Sequence, residues 1–118
     1  MSARETFHEF EVEYLRTQPL GRLATVQPDG TLGRSRVLFD ATTMTKMHKG
    51  LPDGLKVDVD GNLFATGPGG VLVLSPDGRH LGTILTGQAT ANCAFGDDGR
   101  TLYITADMYV MRVRVKTK

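Results

Sequence analysis

Asp-Gly pairs stand at 29–30, 53–54, 60–61, 77–78 and 98–99, and their carboxylates are the commonest candidates for chemistry in this sequence. Asp58-Val59-Asp60-Gly61 has the look of a calcium loop. It lacks the later glutamate that gives such a loop its bidentate ligand, and the flanking apolar runs explain it as a turn. Asp97-Asp98-Gly99 reads the same way. Gly67-Pro68-Gly69-Gly70 has the glycines of a phosphate cradle, but no helix follows, so a tight hairpin turn is expected. His8, His48 and His80 are dispersed, and none pairs with another at metal-ligand spacing. Ser35 and Ser75 lack the context of a nucleophile elbow. Cys93 is the sole cysteine, which excludes an intramolecular disulfide framework and a cysteine zinc site. It falls in an apolar run and is expected as a small buried hydrophobe; a reactive thiol would need a neighbouring base or cation.

Short strands must position these residues. Asp-Gly between apolar runs is a strong hairpin signal, because both residues tolerate positive φ. Strands are expected near 22–26, 33–39, 55–59, 62–66, 70–75, 80–86, 91–95, 101–106 and 109–116. The stretch 41–52 has no clean period and reads as a loop. A single helix is expected over 2–17, where Phe7, Phe10, Tyr14 and Leu15 recur at helical spacing and Pro19 and Gly21 follow. Thr6-Phe7-His8-Glu9 has the capping-box pattern, and Ser2-Ala3-Arg4-Glu5 offers a second possible start. The tail from Met111 to Lys118 alternates apolar and basic residues. As a strand it buries Met111, Val113 and Val115 and turns Arg112, Arg114 and Lys116 outward.

Composition narrows the classes. The chain has 118 residues, 40% hydrophobic and 23% charged, as expected of one soluble globular domain. Its 14 Lys plus Arg against 13 Asp plus Glu leave a formal charge of +1, which gives no general footprint for nucleic acid or an anionic membrane. No apolar run is long enough to span a membrane. Glu5, Glu9, Glu11 and Glu13 occupy the region where a signal peptide needs an apolar core, so a cytoplasmic location is expected.

The turns also repeat. Val57–Thr66 is similar to Phe95–Thr105, with Asp60 and Asp98 spaced 38 residues apart. Pro28–Gly33 is similar to Pro76–Gly82, with Asp29 and Asp77 spaced 48 apart. Four-stranded propeller blades recur at roughly 40–45 residues. The pattern gives a half blade (22–39), a full blade (55–86) and three strands of another (91–116). A generic antiparallel sandwich is the alternative on the repeats alone.

Residues 26–118 resemble the C-terminal part of the regucalcin-like (senescence marker protein, gluconolactonase) family of six-bladed propellers. The residues carrying the resemblance are Gln27–Leu32, Leu51-Pro52-Asp53-Gly54-Leu55-Lys56-Val57-Asp58, Asp60–Val71 and Thr90-Ala91-Asn92-Cys93-Ala94-Phe95-Gly96. The resemblance implies a lactone or ester hydrolase with one divalent metal (calcium, zinc or magnesium) on the propeller axis, and a small-molecule lactone as its substrate. It also implies that Asp53 is a metal ligand beside the substrate, and thus both the catalytic and the metal residue of this chain. The family's other ligands lie in blades that precede this region, so Asp53 as a plain turn residue stays open beside that role. Residues 1–25 resemble the start of the pyridoxamine-phosphate-oxidase-like split barrels, which bind flavin mononucleotide or a deazaflavin, through Phe7-His8-Glu9 and Tyr14–Val26.

The expectation is therefore a mainly β protein of about two propeller blades, built of antiparallel four-stranded sheets, with one N-terminal α-helix. Residues 1–25 form a foreign start and 26–118 a partial propeller. Val57, Val59, Leu63, Phe64, Leu72, Leu74, Ile84, Leu85, Phe95, Leu102, Ile104, Val113 and Val115 are expected inside. Six blades need roughly 240–270 residues, so the chain would supply less than half of a ring. Exposed blade faces and edges would then be covered by the helix or by self-association into a homo-oligomer. Three functions follow: a metal-dependent lactonase, a non-catalytic interaction module, and, from residues 1–25 alone, a flavin or deazaflavin oxidoreductase.

Overall fold

A computed structural model describes Glu9, Glu13, residues 27–31 and residues 37–117. The expected helix over 2–17, apart from Glu9 and Glu13, and the expected strand at 22–26 lie outside the described residues, as does most of the one at 33–39. Residues 37–39 are described and are not in a strand. No helix among the described residues is long and apolar enough to cross a membrane.

The protein is mainly β. Strands β1 (Leu55–Val57), β2 (Leu63–Gly67), β3 (Gly70–Leu74) and β4 (His80–Leu85) form one sheet in chain order. Strands β5 (Thr90–Gly96), β6 (Thr101–Ala106) and β7 (Tyr109–Arg114) form a second. Every neighbouring pair is antiparallel. The Asp-Gly turns join them as the sequence implies: Gly61, Gly78 and Gly99 hold φ of 83°, 87° and 80°, which glycine adopts without penalty. Pro68 and Gly69 form the two-residue hairpin between β2 and β3, with Gly69 at φ 92°.

Alternation along the strands builds the core. Phe64 and Val71 of the first sheet pack on Cys93, Leu102, Ile104 and Ala106 of the second, with the Phe64 and Phe95 rings edge to face at 5.1 Å. The opposite face of the first sheet, Leu63, Leu72 and Leu74, is covered by Phe39, Ala41 and Met44. The segment expected as a loop over 41–52 thus contains a 3-10 turn at Thr42–Lys46. Its first amide is capped by Asp40 Oδ1 at 2.9 Å, and Ala41 and Met44 face the sheet. That packing, not a local period, fixes the turn.

Three residues expected inside are exposed. Val59 lies in the turn between β1 and β2, outside the strand, and is 76% exposed. Val57 ends the edge strand β1 on the face away from the second sheet, beyond the reach of the 39–44 segment, and is 57% exposed. Leu85 ends the other edge strand opposite Gly70, which offers no side chain to cover it. The tail follows its alternation: Met111, Val113 and Val115 pack against the core, and Arg112, Arg114 and Lys116 are exposed.

Candidate functional site

Asp53 lies just ahead of β1, beside the start of β5, where the first strands of the two sheets approach each other. Its dipeptide differs from the other four. Gly30, Gly61, Gly78 and Gly99 all have positive φ, and Gly54 does not. Three of the four turn aspartates are also occupied; the fourth, Asp60, uses its amide, which donates to Asp58 Oδ1 at 2.9 Å, and not its carboxylate. Asp29 Oδ1 accepts the Thr31 amide at 2.9 Å and the Thr31 hydroxyl at 2.6 Å. Asp77 accepts the Ser75 hydroxyl, and Asp98 Oδ1 accepts the Arg100 amide at 2.9 Å. These hydrogen bonds hold the Asp29, Asp77 and Asp98 carboxyls below the usual aspartate range. The Asp53 carboxylate is exposed and has no hydrogen bond or ion pair to the described residues.

What holds Asp53 is the backbone beside it. The Gly54 amide donates to Thr66 Oγ1 at 2.7 Å, and the Gly54 carbonyl accepts the Thr66 amide at 2.8 Å. Thr66 is fully buried. Its hydroxyl also lies 3.1 Å from the Ala91 carbonyl and 3.3 Å from the Gly54 carbonyl. Ala91 sits where the β5–β6 register shifts between Thr90 and Asn92, so it is outside the ladder. A bulge of this kind re-aims the next side chain. That side chain is Asn92, and it fills the space beside residue 54: a Cβ there would stand 2.7 Å from Asn92 Cγ. Gly54 is therefore a glycine of close approach and not of turn geometry.

Asn92 Oδ1 accepts the Cys93 amide at 2.8 Å and lies 3.5 Å from Lys56 Nζ. Lys56 and Asn92, with Tyr103, Thr105 and Val110, line an open recess of about 270 Å³. An exposed amide and a half-buried ammonium group thus meet where β1 approaches β5, and Asp53, two residues before β1, does not line that recess. Sequence reasoning singled out Asp53 but missed Thr66, Asn92 and Lys56. A hydroxyl in the apolar run Leu63-Phe64-Ala65-Thr66, on the inward face, was the only local signal.

The remaining candidates are placed elsewhere. Asp58 is buried, and its oxygens accept the Asp60 and Asn62 amides, the Asn62 side chain and the Thr117 hydroxyl. That carboxylate serves a turn and an inter-sheet contact. Cys93 is buried with Sγ 3.5 Å from the Phe64 carbonyl; burial pushes its thiol pKa up, against the opposing pull of the Lys56 charge. His80 Nε2 lies 2.9 Å from Thr83 Oγ1 and its ring is 5.6 Å from that of Phe39, and His48 is exposed. The Ser75 hydroxyl faces Asp77 and the Arg79 backbone. His8 and Ser35 lie outside the described residues.

A divalent cation does not fit the described residues by themselves. Among them no three His, Cys, Asp or Glu side chains converge, and a lone exposed carboxylate is a weak ligand for a hard cation that takes six or more oxygens.

Known proteins are similar to this chain in sequence and fold. The model of the SMP-30/gluconolactonase/LRE-like region matches residues 17–107. A gluconolactonase of Zymomonas mobilis is 53% identical over 70 residues, covering 58% of this chain and 20% of its own length. The X-ray structure of a candidate gluconolactonase superposes with a TM-score of 0.70 at 34% identity, covering 82% of this chain and 32% of that one. A gluconolactonase from Xanthomonas campestris, described as important in glucose secondary metabolic pathways, superposes at 0.66 with 30% identity, covering 79% of this chain and 29% of that one. A luciferin-regenerating enzyme shares the fold at 0.67 and 22% identity. The chain spans about a fifth of the curated relative and about a third of the two gluconolactonase structures.

Proposed function

The chain belongs to the SMP-30/gluconolactonase/LRE-like family, and from that membership we propose that it supplies Asp53 as the working carboxylate of a lactone-hydrolysing centre. One observation carries this reading. Asp53-Gly54 is the one Asp-Gly pair not used as a turn, and its backbone is pinned by a buried hydroxyl while its carboxylate stays uncommitted. Asp29, Asp77 and Asp98 spend their oxygens on nearby donors, and Asp60, whose carboxylate is also free, belongs to a positive-φ turn, so Asp53 alone combines a free carboxylate with a pinned, non-turn backbone. A catalytic aspartate must keep its oxygens for the reactants.

In this reading Asp53 acts as a general base. It takes a proton from a water as the water oxygen bonds to the lactone carbonyl carbon. The ring C–O bond then breaks and the proton passes to the ring oxygen, giving the open hydroxy acid. No step is assigned to a divalent cation, because the described residues offer one carboxylate and a cation would need ligands from other blades. Those blades would come from a longer polypeptide or from further copies of this chain.

The test is hydrolysis of gluconolactone by the purified protein and its Asp53→Asn variant. Loss of turnover in a folded variant supports the reading, and unchanged turnover ends it. A second reading, an interaction module without catalysis, is favoured by the uncovered outer face of β5–β7, where Val110 is 76% exposed. No turnover by the wild-type protein selects that second reading.

A further inference from the structure

We infer that Thr66 is the positioning residue for Asp53, and that it sets that carboxylate relative to β5 through one buried hydroxyl. The inference rests on the role proposed for Asp53. Thr66 lies on β2, and its own amide already closes a hydrogen bond to the Gly54 carbonyl. Backbone pairing alone would therefore tie residue 54 to β2. The side chain adds two links. Oγ1 accepts the Gly54 amide at 2.7 Å, and its single hydrogen is shared between the Ala91 carbonyl at 3.1 Å and the Gly54 carbonyl at 3.3 Å. A threonine hydroxyl has one donor and two acceptor sites, so this set uses the donor fully.

The consequence is geometric. Ala91 is the residue left out of the β5 ladder, and its carbonyl accepts from the buried Thr66 hydroxyl at 3.1 Å. That bond ties the bulge to β2, and the bulge aims Asn92 alongside Gly54. One atom thus sets the segment carrying Asp53, the irregularity in β5 and the Asn92 side chain. A valine would fit the same space and remove the hydrogen bonds that Oγ1 makes to the Gly54 amide and the Ala91 carbonyl. Displacement of a reacting group by about 1 Å can cost on the order of 100-fold in rate.

The experiment compares wild type with Thr66→Val and Thr66→Ser. It reads amide hydrogen exchange at Gly54 and at Ile104 of the second sheet, together with kcat and KM for gluconolactone. The Val variant is expected to exchange the Gly54 amide roughly tenfold faster, the weight of one such hydrogen bond. Ile104 exchange should be unchanged. Its kcat should fall roughly 10- to 100-fold with little change in KM. The Ser variant, which keeps the hydroxyl, should restore both. Gly54 exchange unaltered in Val, or a Ser variant that behaves like Val, overturns the inference. Should Val fail to fold, an unprotected Gly54 amide in the wild-type protein overturns it equally. Hydrolysis that survives Asp53→Asn, or is absent from wild type, overturns the function proposed above and not the Gly54 result, so the two failures are separable.

Discussion

The Thr117 hydroxyl donates to Asp58 Oδ2 at 2.7 Å, which ties the tail beyond β7 to the β1–β2 turn of the other sheet. Asp58 also accepts the Asp60 amide at 2.9 Å, the Asn62 amide at 2.8 Å and Asn62 Nδ2 at 2.9 Å. One carboxylate thus closes a turn and clasps the two sheets together. Removing it takes the acceptor from several half-buried donors. Asp58→Ala should cost about 1.5–3 kcal/mol in urea denaturation, and Thr117→Val about 1 kcal/mol. The double variant should lose less than the sum, because the two share a bond.

The same contact sets an acid response. Burial raises the Asp58 pKa, but the hydrogen bonds from Asn62, Thr117 and the Asn62 and Asp60 amides outweigh it, so the net shift is downward from 3.8. A folded-state pKa below the unfolded value gives stability that is present above the unfolded value and lost as pH falls through the folded one. Denaturation midpoints should therefore hold at neutral pH and fall below about pH 4. Asp58→Asn should start lower and lose less on acidification. Asp29, Asp40, Asp77 and Asp98 are shifted in the same direction and will leave a residual acid response in that variant.

Gly54→Ala should be destabilising even though Gly54 has no positive φ. The added methyl would press on Asn92, 2.7 Å from Cγ and 2.9 Å from Cα, at a cost of about 1–3 kcal/mol. Pairing it with Asn92→Gly should recover part of the loss, because the side-chain clash is then gone and only the backbone contact remains. Thermal denaturation of the two single variants and the double variant measures this. At Gly30 nothing stands within 4 Å of the added methyl, so alanine there should be penalised by its φ of 81° alone.

Cys93 should be inert in the native protein. It is 3% exposed and burial disfavours its thiolate. A disulfide reagent should label it at a rate that follows urea-induced opening, and labelling should be fast only in the unfolded chain. Fast labelling in native buffer would mean that the packing of β5 against Phe64 is looser than the structure has it.

Most of the β architecture is legible in the sequence. Strands separated by Asp-Gly are marked twice, by alternation and by turn residues, and all seven observed strands lie within a residue or two of their expected bounds. The tail from Met111 to Val115 is read correctly for the same reason. The exposure of Val57 and Leu85 is not legible, because alternation says which face a side chain takes and not whether anything covers that face. The 3-10 turn at Thr42–Lys46 has no period of its own and depends on Leu72 and Leu74 beneath it. At the candidate site the dipeptide misleads. Asp53-Gly54 reads like the four turn pairs, and what sets it apart, the φ of Gly54, its bonds to Thr66 and the approach of Asn92 from a bulge in the other sheet, exists only in the folded protein. Thr66 is hidden for a similar reason: its partners, Gly54 and Ala91, meet only in the folded protein.

The measurement that bears most directly on the account is the turnover of gluconolactone by the wild-type protein and by Asp53→Asn, across a range of protein concentrations. The account predicts turnover by the wild type and a loss of at least ~100-fold in a variant with an unchanged denaturation curve, the scale of a missing general base. Equal turnover by the two proteins would contradict it.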